Sequence, residues 1–211
     1  MNTLQKSIAT LLYLIFCIIL INISVYENKE VYLNNVGSLL IVLIFIWDIF
    51  KNRLSRSGFY GLLTFGIFHA IGSCWLYSYV PYNEWMIDYF SWDMNAYFGW
   101  ERNHYDRMVH FSFGLLLFPA VVDYFKHKIP LANKYVLLIT FLGIQTFSMI
   151  YELFEWNLSI FLSDGLADSY NGQQGDIWDA QKDMCLAMFG SLISYVYLAI
   201  KYKRKQQLES N

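Results

Sequence analysis

The stretch SIATLLYLIFCIILINISV, residues 7–25, contains no charged side chain. An α-helix rises about 1.5 Å per residue, so about 20 such residues cross a hydrocarbon core about 30 Å thick. Five further mostly apolar stretches follow, at roughly 31–50, 58–77, 106–125, 134–162 and 178–200. The expectation is an all-α, polytopic helical membrane bundle of about six transmembrane helices, forming one integral membrane domain over residues 1–211. Pro119 lies inside the fourth stretch. It predicts a kink, which a membrane helix tolerates when a neighbour satisfies the carbonyl that proline frees.

Composition agrees. Hydrophobic residues make up 56% of the 211 and charged residues 15%, against about 25% charged in soluble proteins. That leaves too little polar surface for a water-exposed globule, so the partner implied is the lipid bilayer. A formal charge of −2, with no basic stripe left after the helix flanks are assigned, excludes nucleic acid. Cys17, Cys74 and Cys185 all fall in apolar runs and read as buried thiols. No small-x-small cleavage site follows residues 7–25, so that stretch reads as a retained first span.

Loop charge orients the bundle. With six spans, eleven lysines and arginines fall on one side, including Lys51, Arg53, Arg56 and the run Lys201, Lys203, Arg204 and Lys205. Four fall on the other: Lys29, Arg102, Arg107 and Lys182. The positive-inside rule then places both termini in the cytoplasm. The outer connection Tyr77–Tyr105 is crowded with Trp85, Tyr89, Trp92, Tyr97 and Trp100. Such rings favour the headgroup layer, predicting an interfacial segment with a short helix on the outer leaflet. The connection Ser163–Ile177, rich in Asp, Gly, Gln and Ser, reads as a turn-rich loop.

Ionisable groups within or at the ends of spans are costly and need a reason. Asp106 and His110 open the fourth span four residues apart, on one helical face. Glu152 and Glu155 share a face of the fifth. Asp176, Asp179 and Asp183, spaced three and four apart, open the sixth, with Trp178 and Gln181 among them. Counted at 1.5 Å per residue, Glu152 lies roughly 26 Å and Asp183 roughly 25 Å from the cytoplasmic ends of their helices, and His110 about 22 Å. All therefore reach one level near the outer edge.

Crowded carboxylates cannot all be ionised and unpaired. Pairing with Arg102, Arg107 or Lys182, protonation, or a divalent metal ion would relieve them, and carboxylates with one imidazole suit Mg²⁺, Ca²⁺, Mn²⁺ or Zn²⁺. The candidate metal ligands are Asp106, His110, Glu152, Asp176, Asp179 and Asp183. Candidate catalytic groups are Glu152, Glu155, His110 and Asp183; candidate substrate contacts are Arg107, Gln181 and Trp178. Plainer readings stand beside these. Asp176 and Asp179 suit a helix N-terminus, Asp106 and Arg107 an ordinary ion pair, and Glu152 and Glu155 a structural pairing with Arg107 or Lys182. His69, mid-span, reads as a hydrogen-bonded packing residue. Asp48 and Asp123 read as interfacial partners of Lys51 and Lys126.

The motifs NHYDRMVHF (103–111), YELFEW (151–156) and GDIWDAQKDM (175–184) together resemble those of the YjdF-type bacterial inner-membrane proteins. More distantly, the Asp-Arg-x2-His-Phe start and the acidic last helix look like VanZ-type membrane proteins. Here, however, Glu155 is followed by Trp156 where such proteins tend to have Gln, and Asp183 by Met184 where they have Asn. The resemblance implies a bacterial plasma membrane and the same site residues, and supplies no reaction.

Three functions follow as expectations. The first is an outer-face acidic pocket acting on an envelope or lipid-derived molecule, by metal-assisted hydrolysis or transfer if enzymatic. The second is an ion- or proton-coupled transporter. The third is a structural or accessory membrane protein.

Overall fold

The computed structural model describes residues 1–26, 28–161 and 174–210. The loop expected at Ser163–Ile177 lies largely outside the described residues. All regular structure among the described residues is helical. The elements are α1 (Thr3–Ile23), α2 (Asn28–Asn34), α3 (Val36–Lys51), α4 (Arg56–Cys74), α5 (Tyr82–Phe90), α6 (Met94–Phe98), α7 (Tyr105–Lys128), α8 (Asn133–Phe161) and α9 (Asp179–Ser210).

Five helices are long and apolar enough to cross a membrane: α1, the combined α2–α3 stretch Glu30–Lys51, α7, α8 and α9. The sixth, α4, is diluted by four glycines, Thr64 and His69. It runs antiparallel to α7 through the same depth. Its Gly58 lies against Ala120 and Asp123 near one end, and near the other the Tyr105 hydroxyl donates to the Phe68 carbonyl at 3.0 Å. Apolar side chains such as Leu11, Ile15, Leu39, Leu43, Ile193 and Val196 are exposed around the outside. Such a girdle suits a lipid solvent rather than water.

Small residues set the tightest crossings. A Cβ on Gly61 would stand 2.2 Å from the Leu116 carbonyl oxygen, and one on Gly190 2.2 Å from that of Phe111. Close backbone approach of this kind is how membrane helices gain van der Waals contact without a hydrophobic driving force between them. One packed group contains α1, α3 and α4, around Tyr13, Phe45 and Phe59. Another contains α7, α8 and α9, around Phe118, Val136 and Ile144. They join along α4 and α7.

The polar groups at the end opposite the acidic residues find other partners than the sequence suggests. Asp48, fully buried, pairs with Lys6 at 2.5 Å rather than with Lys51. Its other oxygen accepts from the backbone N–H groups of Arg53 and Leu54, both at 2.7 Å. Asp123 accepts from the backbone N–H and hydroxyl of Ser55, at 2.8 and 2.7 Å, rather than pairing with Lys126. Both carboxylates bind the α3–α4 turn, whose exposed N–H groups are fixed in place, whereas Lys51 and Lys126 reach water or, for Lys126, the Tyr202 ring.

α7 continues through Pro119. Proline removes the N–H that would bond the Leu115 carbonyl; that carbonyl instead accepts from the Ser194 hydroxyl of α9 at 2.6 Å. The connection Tyr77–Tyr105 forms two short helices, α5 and α6, with Tyr89, Phe90, Tyr97 and Phe98 exposed. The last helix extends to Ser210, ten residues past the expected end, because the Lys-, Arg- and Gln-rich tail consists of good helix formers. Cys17 and Cys74 are buried, but Cys185 is exposed on the outside of α9.

Candidate functional site

The crossing of α7 and α9 places the candidate residues. Gly114 lies one turn below His110, and Ala187 one turn below Asp183. A Cβ on Gly114 would stand 1.9 Å from the Ala187 carbonyl oxygen. Side chains one turn farther out therefore face each other across a narrow gap. Asp106, His110 and Asp183, all buried, each offer a ligand atom within 4.8 Å of the others. From α8, Glu152 completes the group. His110 Nε2 lies 3.6 Å from Asp106 Oδ1, and Nδ1 lies 3.6 Å from Glu152 Oε1. Those separations are too long for direct hydrogen bonds.

The charged residues fall into two tiers. In the outer tier, Arg102 grips Asp179 through both terminal nitrogens, at 2.7 and 3.2 Å. Arg107 contacts Asp176 and reaches Asp179 at 3.1 Å. Lys182 bonds Asp176 at 2.6 Å. Asp176 also accepts from the Trp178 N–H in the turn that leads into α9. Lys182, that N–H and Arg107 together hold the Asp176 carboxyl well below the usual carboxylate range. Burial, then the charges of Arg107 and Arg102, push the His104 imidazole down. Its Nδ1 lies 3.2 Å from Arg107, and its ring packs on Trp100.

The inner tier contains Asp106, His110, Glu152 and Asp183. Among the described lysines and arginines, none forms an ion pair with these three carboxylates. Glu152 Oε1 and Asp183 Oδ1 are buried without a hydrogen-bond partner. Buried polar atoms are satisfied in the great majority of cases, so two at one place leave room for an ordered water, a ligand or an ion. Oxygen ligands bind divalent ions at about 2.0–2.6 Å, so one ion can bridge atoms up to about 5 Å apart. The Asp106, His110 and Asp183 set fits within that span.

Two clefts reach this tier. One, of about 300 Å³, lies between α8 and α9 and is lined by Glu152, Glu155, Trp156, Asp179 and Gln181 among others. Trp178, 59% exposed, is not among its lining residues. The other, of about 420 Å³, is mostly apolar and is lined by α3, α4, α7 and α8, including Asp106 and His110. His69 and Ser148 line it too. The sequence alone marks Ser148 only by its position four residues before Glu152. His69 accepts or donates at Nδ1 with the Tyr77 hydroxyl, 2.5 Å away. That contact depends on a left-handed turn at Leu76 and Tyr77, φ 48° and 55°, which folds Tyr77 back over Gly72; non-glycine residues adopt it at a cost.

The molecule is thus a polytopic helical membrane protein with an enclosed acidic and imidazole cluster at one end. The chain belongs to the family of predicted membrane proteins described as DUF2238, whose model matches residues 7–204. It is similar to the inner membrane protein YjdF of Escherichia coli (strain K12), 33% identical over 148 residues. The match covers 65% of this chain and 64% of that relative, so it spans less than two thirds of the relative's length. No solved structure matches.

Proposed function

We propose that this protein is a metal-dependent enzyme of the bacterial inner membrane acting on an envelope or lipid-derived substrate at the outer face, with both termini cytoplasmic. The observation that carries this reading is the division of the cluster. The arginines are occupied by Asp176 and Asp179, while Asp183 Oδ1 and Glu152 Oε1 stay buried and unpartnered beside His110. Asp106, His110 and Asp183 would hold a divalent ion. Glu152 would act as general base or acid, with Glu155 beside it in the α8–α9 cleft. Asp176 and Asp179 would support the site from the outer tier. Such an ion, when bound, polarises a phosphoryl or acyl oxygen and activates water. Arg107 Nε, buried and unpartnered, offers a hydrogen bond to an anionic oxygen, and Gln181 stands at the cleft wall.

Two features favour this over the alternatives. A relay for transported protons or cations needs polar groups toward the basic end. There α7, α8 and α9 carry hydroxyls and one amide, such as Ser112, Thr140, Ser148, Ser194 and the Gln145–Ser191 hydrogen bond of 2.8 Å, and no carboxylate or imidazole before Asp123. A purely structural role is already met by the outer-tier ion pairs, which pin the α7 and α9 ends together.

The test is the metal content of purified protein, measured with thermal stability, for wild type, Glu152→Ala and Asp183→Ala. The expected result is bound metal in wild type, lost in Asp183→Ala and weakened in Glu152→Ala, with both variants folded. Absence of metal in wild type, with both variants collapsing, would favour the structural role.

A further inference from the structure

The two helix groups part between α3 and α8, and the apolar cleft occupies the gap. Its floor is formed by Phe65 and His69 of α4 and by Val109 and Phe113 of α7. Val36, Leu40, Phe147 and Phe154 at its mouth are exposed on the girdle that faces lipid. The cleft is therefore entered sideways from the bilayer and ends inward on His110 and Asp106. A volume of about 420 Å³ falls in the range of small-molecule sites.

An apolar gap in a membrane protein fills with hydrocarbon by default, so the polar atoms lining it carry the argument. Ser148 is 2% exposed, lines the cleft, and has an Oγ with no hydrogen-bond partner. In an α-helix a serine hydroxyl commonly bonds back to the carbonyl four residues earlier, as Thr10 and Thr146 do here. Ser148 does not. His69 lines the same cleft, its Nε2 facing Gly37, on which a Cβ would stand 2.4 Å away.

Ser148 lies one turn, about 6 Å by helical rise, deeper than Glu152. A glycerolipid carries its ester oxygens at that place, just below its polar head. An isoprenoid chain carries none there.

We propose that this cleft admits one acyl chain of a glycerolipid sideways from the bilayer, its ester carbonyl accepting from Ser148 Oγ while its head reaches His110. The proposal rests on the lipid-derived substrate above and names its class.

The test uses full-length protein in phosphatidylethanolamine–phosphatidylglycerol vesicles. These are doped with a phosphatidylglycerol carrying a diazirine in an ester-linked acyl chain or, separately, with its ether-linked counterpart. After irradiation, cross-links are mapped by mass spectrometry and metal content is measured in parallel. The expected result is several-fold enrichment of ester-probe cross-links at Leu40, Phe113 and Phe147 over Leu11 and Ile15 on the outer face of α1. The ether probe is expected to label the cleft less, and Ser148→Ala to remove the difference. Ser148→Leu and Leu40→Trp, filling the cleft from opposite walls, are each expected to abolish enrichment while metal content is unchanged. Labelling no higher than on α1, or equal labelling by the two probes in wild type, would overturn the proposal. Cleft labelling in a protein without metal would uphold the chain site and remove only the metal reading.

Discussion

Gly114 and Ala187 meet so closely that α7 and α9 touch backbone to backbone, with 1.9 Å between a hypothetical Cβ on the first and the carbonyl oxygen of the second. The facing carbonyl belongs to a helix and cannot swing aside as a side chain could. Gly114→Ala should therefore force the helices apart. Overpacking of this sort costs about 1–3 kcal/mol. Unfolding in a denaturing detergent series should show that loss. Metal binding should fall as well, because His110 and Asp183 lie one turn beyond the contact. A variant with unchanged stability and metal affinity would show that the crossing does not set the site.

Arg102 and Asp179 form the best-made ion pair of the outer tier. Hydrogen bonds to charged groups contribute about 1.5–3 kcal/mol. Arg102→Ala should destabilise the protein by about that amount, with Arg107 partly compensating. A double-mutant cycle with Asp179→Ala should give a coupling of about 0.5–3 kcal/mol. Additivity of the two substitutions would deny the pair any part in stability.

Asp176 supplies a pH signature. Its pKa in the folded protein is depressed, by Lys182 first, so ionisation favours folding. That contribution is complete above the unfolded value of about 4 and is lost as pH falls through the folded value. The stability difference between wild type and Asp176→Asn should be flat from neutral pH to about pH 5 and should shrink only in more acidic solution. A difference that already changes near pH 6 would point to a different group.

Ser194 and Pro119 should show a matched compensation. Ser194→Ala leaves the Leu115 carbonyl without its 2.6 Å donor, and interhelical hydrogen bonds in membranes average about 0.6 kcal/mol. In a Pro119→Ala background the helix provides its own N–H, and Ser194→Ala should then cost less. Equal costs in the two backgrounds would mean that the serine serves something other than that carbonyl.

Metal itself should stabilise the fold. A ligand that binds the native state at 100 times its Kd adds about 2.7 kcal/mol. Adding Mn²⁺ or Zn²⁺ to chelator-treated protein should raise the melting temperature of wild type and leave that of Asp183→Ala in place. A shift of equal size in both would assign the ion to another location.

The spans are legible in the sequence because a membrane crossing is a local property, a length of chain without charge. α4 is the weakest signal for the opposite reason: its glycines serve close contacts rather than hydrophobicity, Gly58 and Gly61 with α7, Gly66 with Tyr13 of α1 and Gly72 with Tyr77. The convergence of Asp106, His110, Glu152 and Asp183 also follows from helical arithmetic. The identity of ionic partners does not. Which carboxylates receive the arginines depends on Arg102, which precedes α7 and has no helical phase to count from. Lys6 and Asp48 are separated by 42 positions, and nearby Lys51 looks the nearer partner only along the chain. Ser148 is marked only by its spacing from Glu152 and His69 only as a mid-span imidazole; their importance comes from a cleft that exists only once α3 and α8 stand apart.

The Lys6–Asp48 pair also forms late in the making of the protein. While the first helix leaves the ribosome, Lys6 is a cation whose partner does not yet exist. Its partner is translated later, at the end of the second hydrophobic stretch. Only then can the charge be withdrawn into the bundle and masked. The clamp on the first two long helices thus closes only after both have been made.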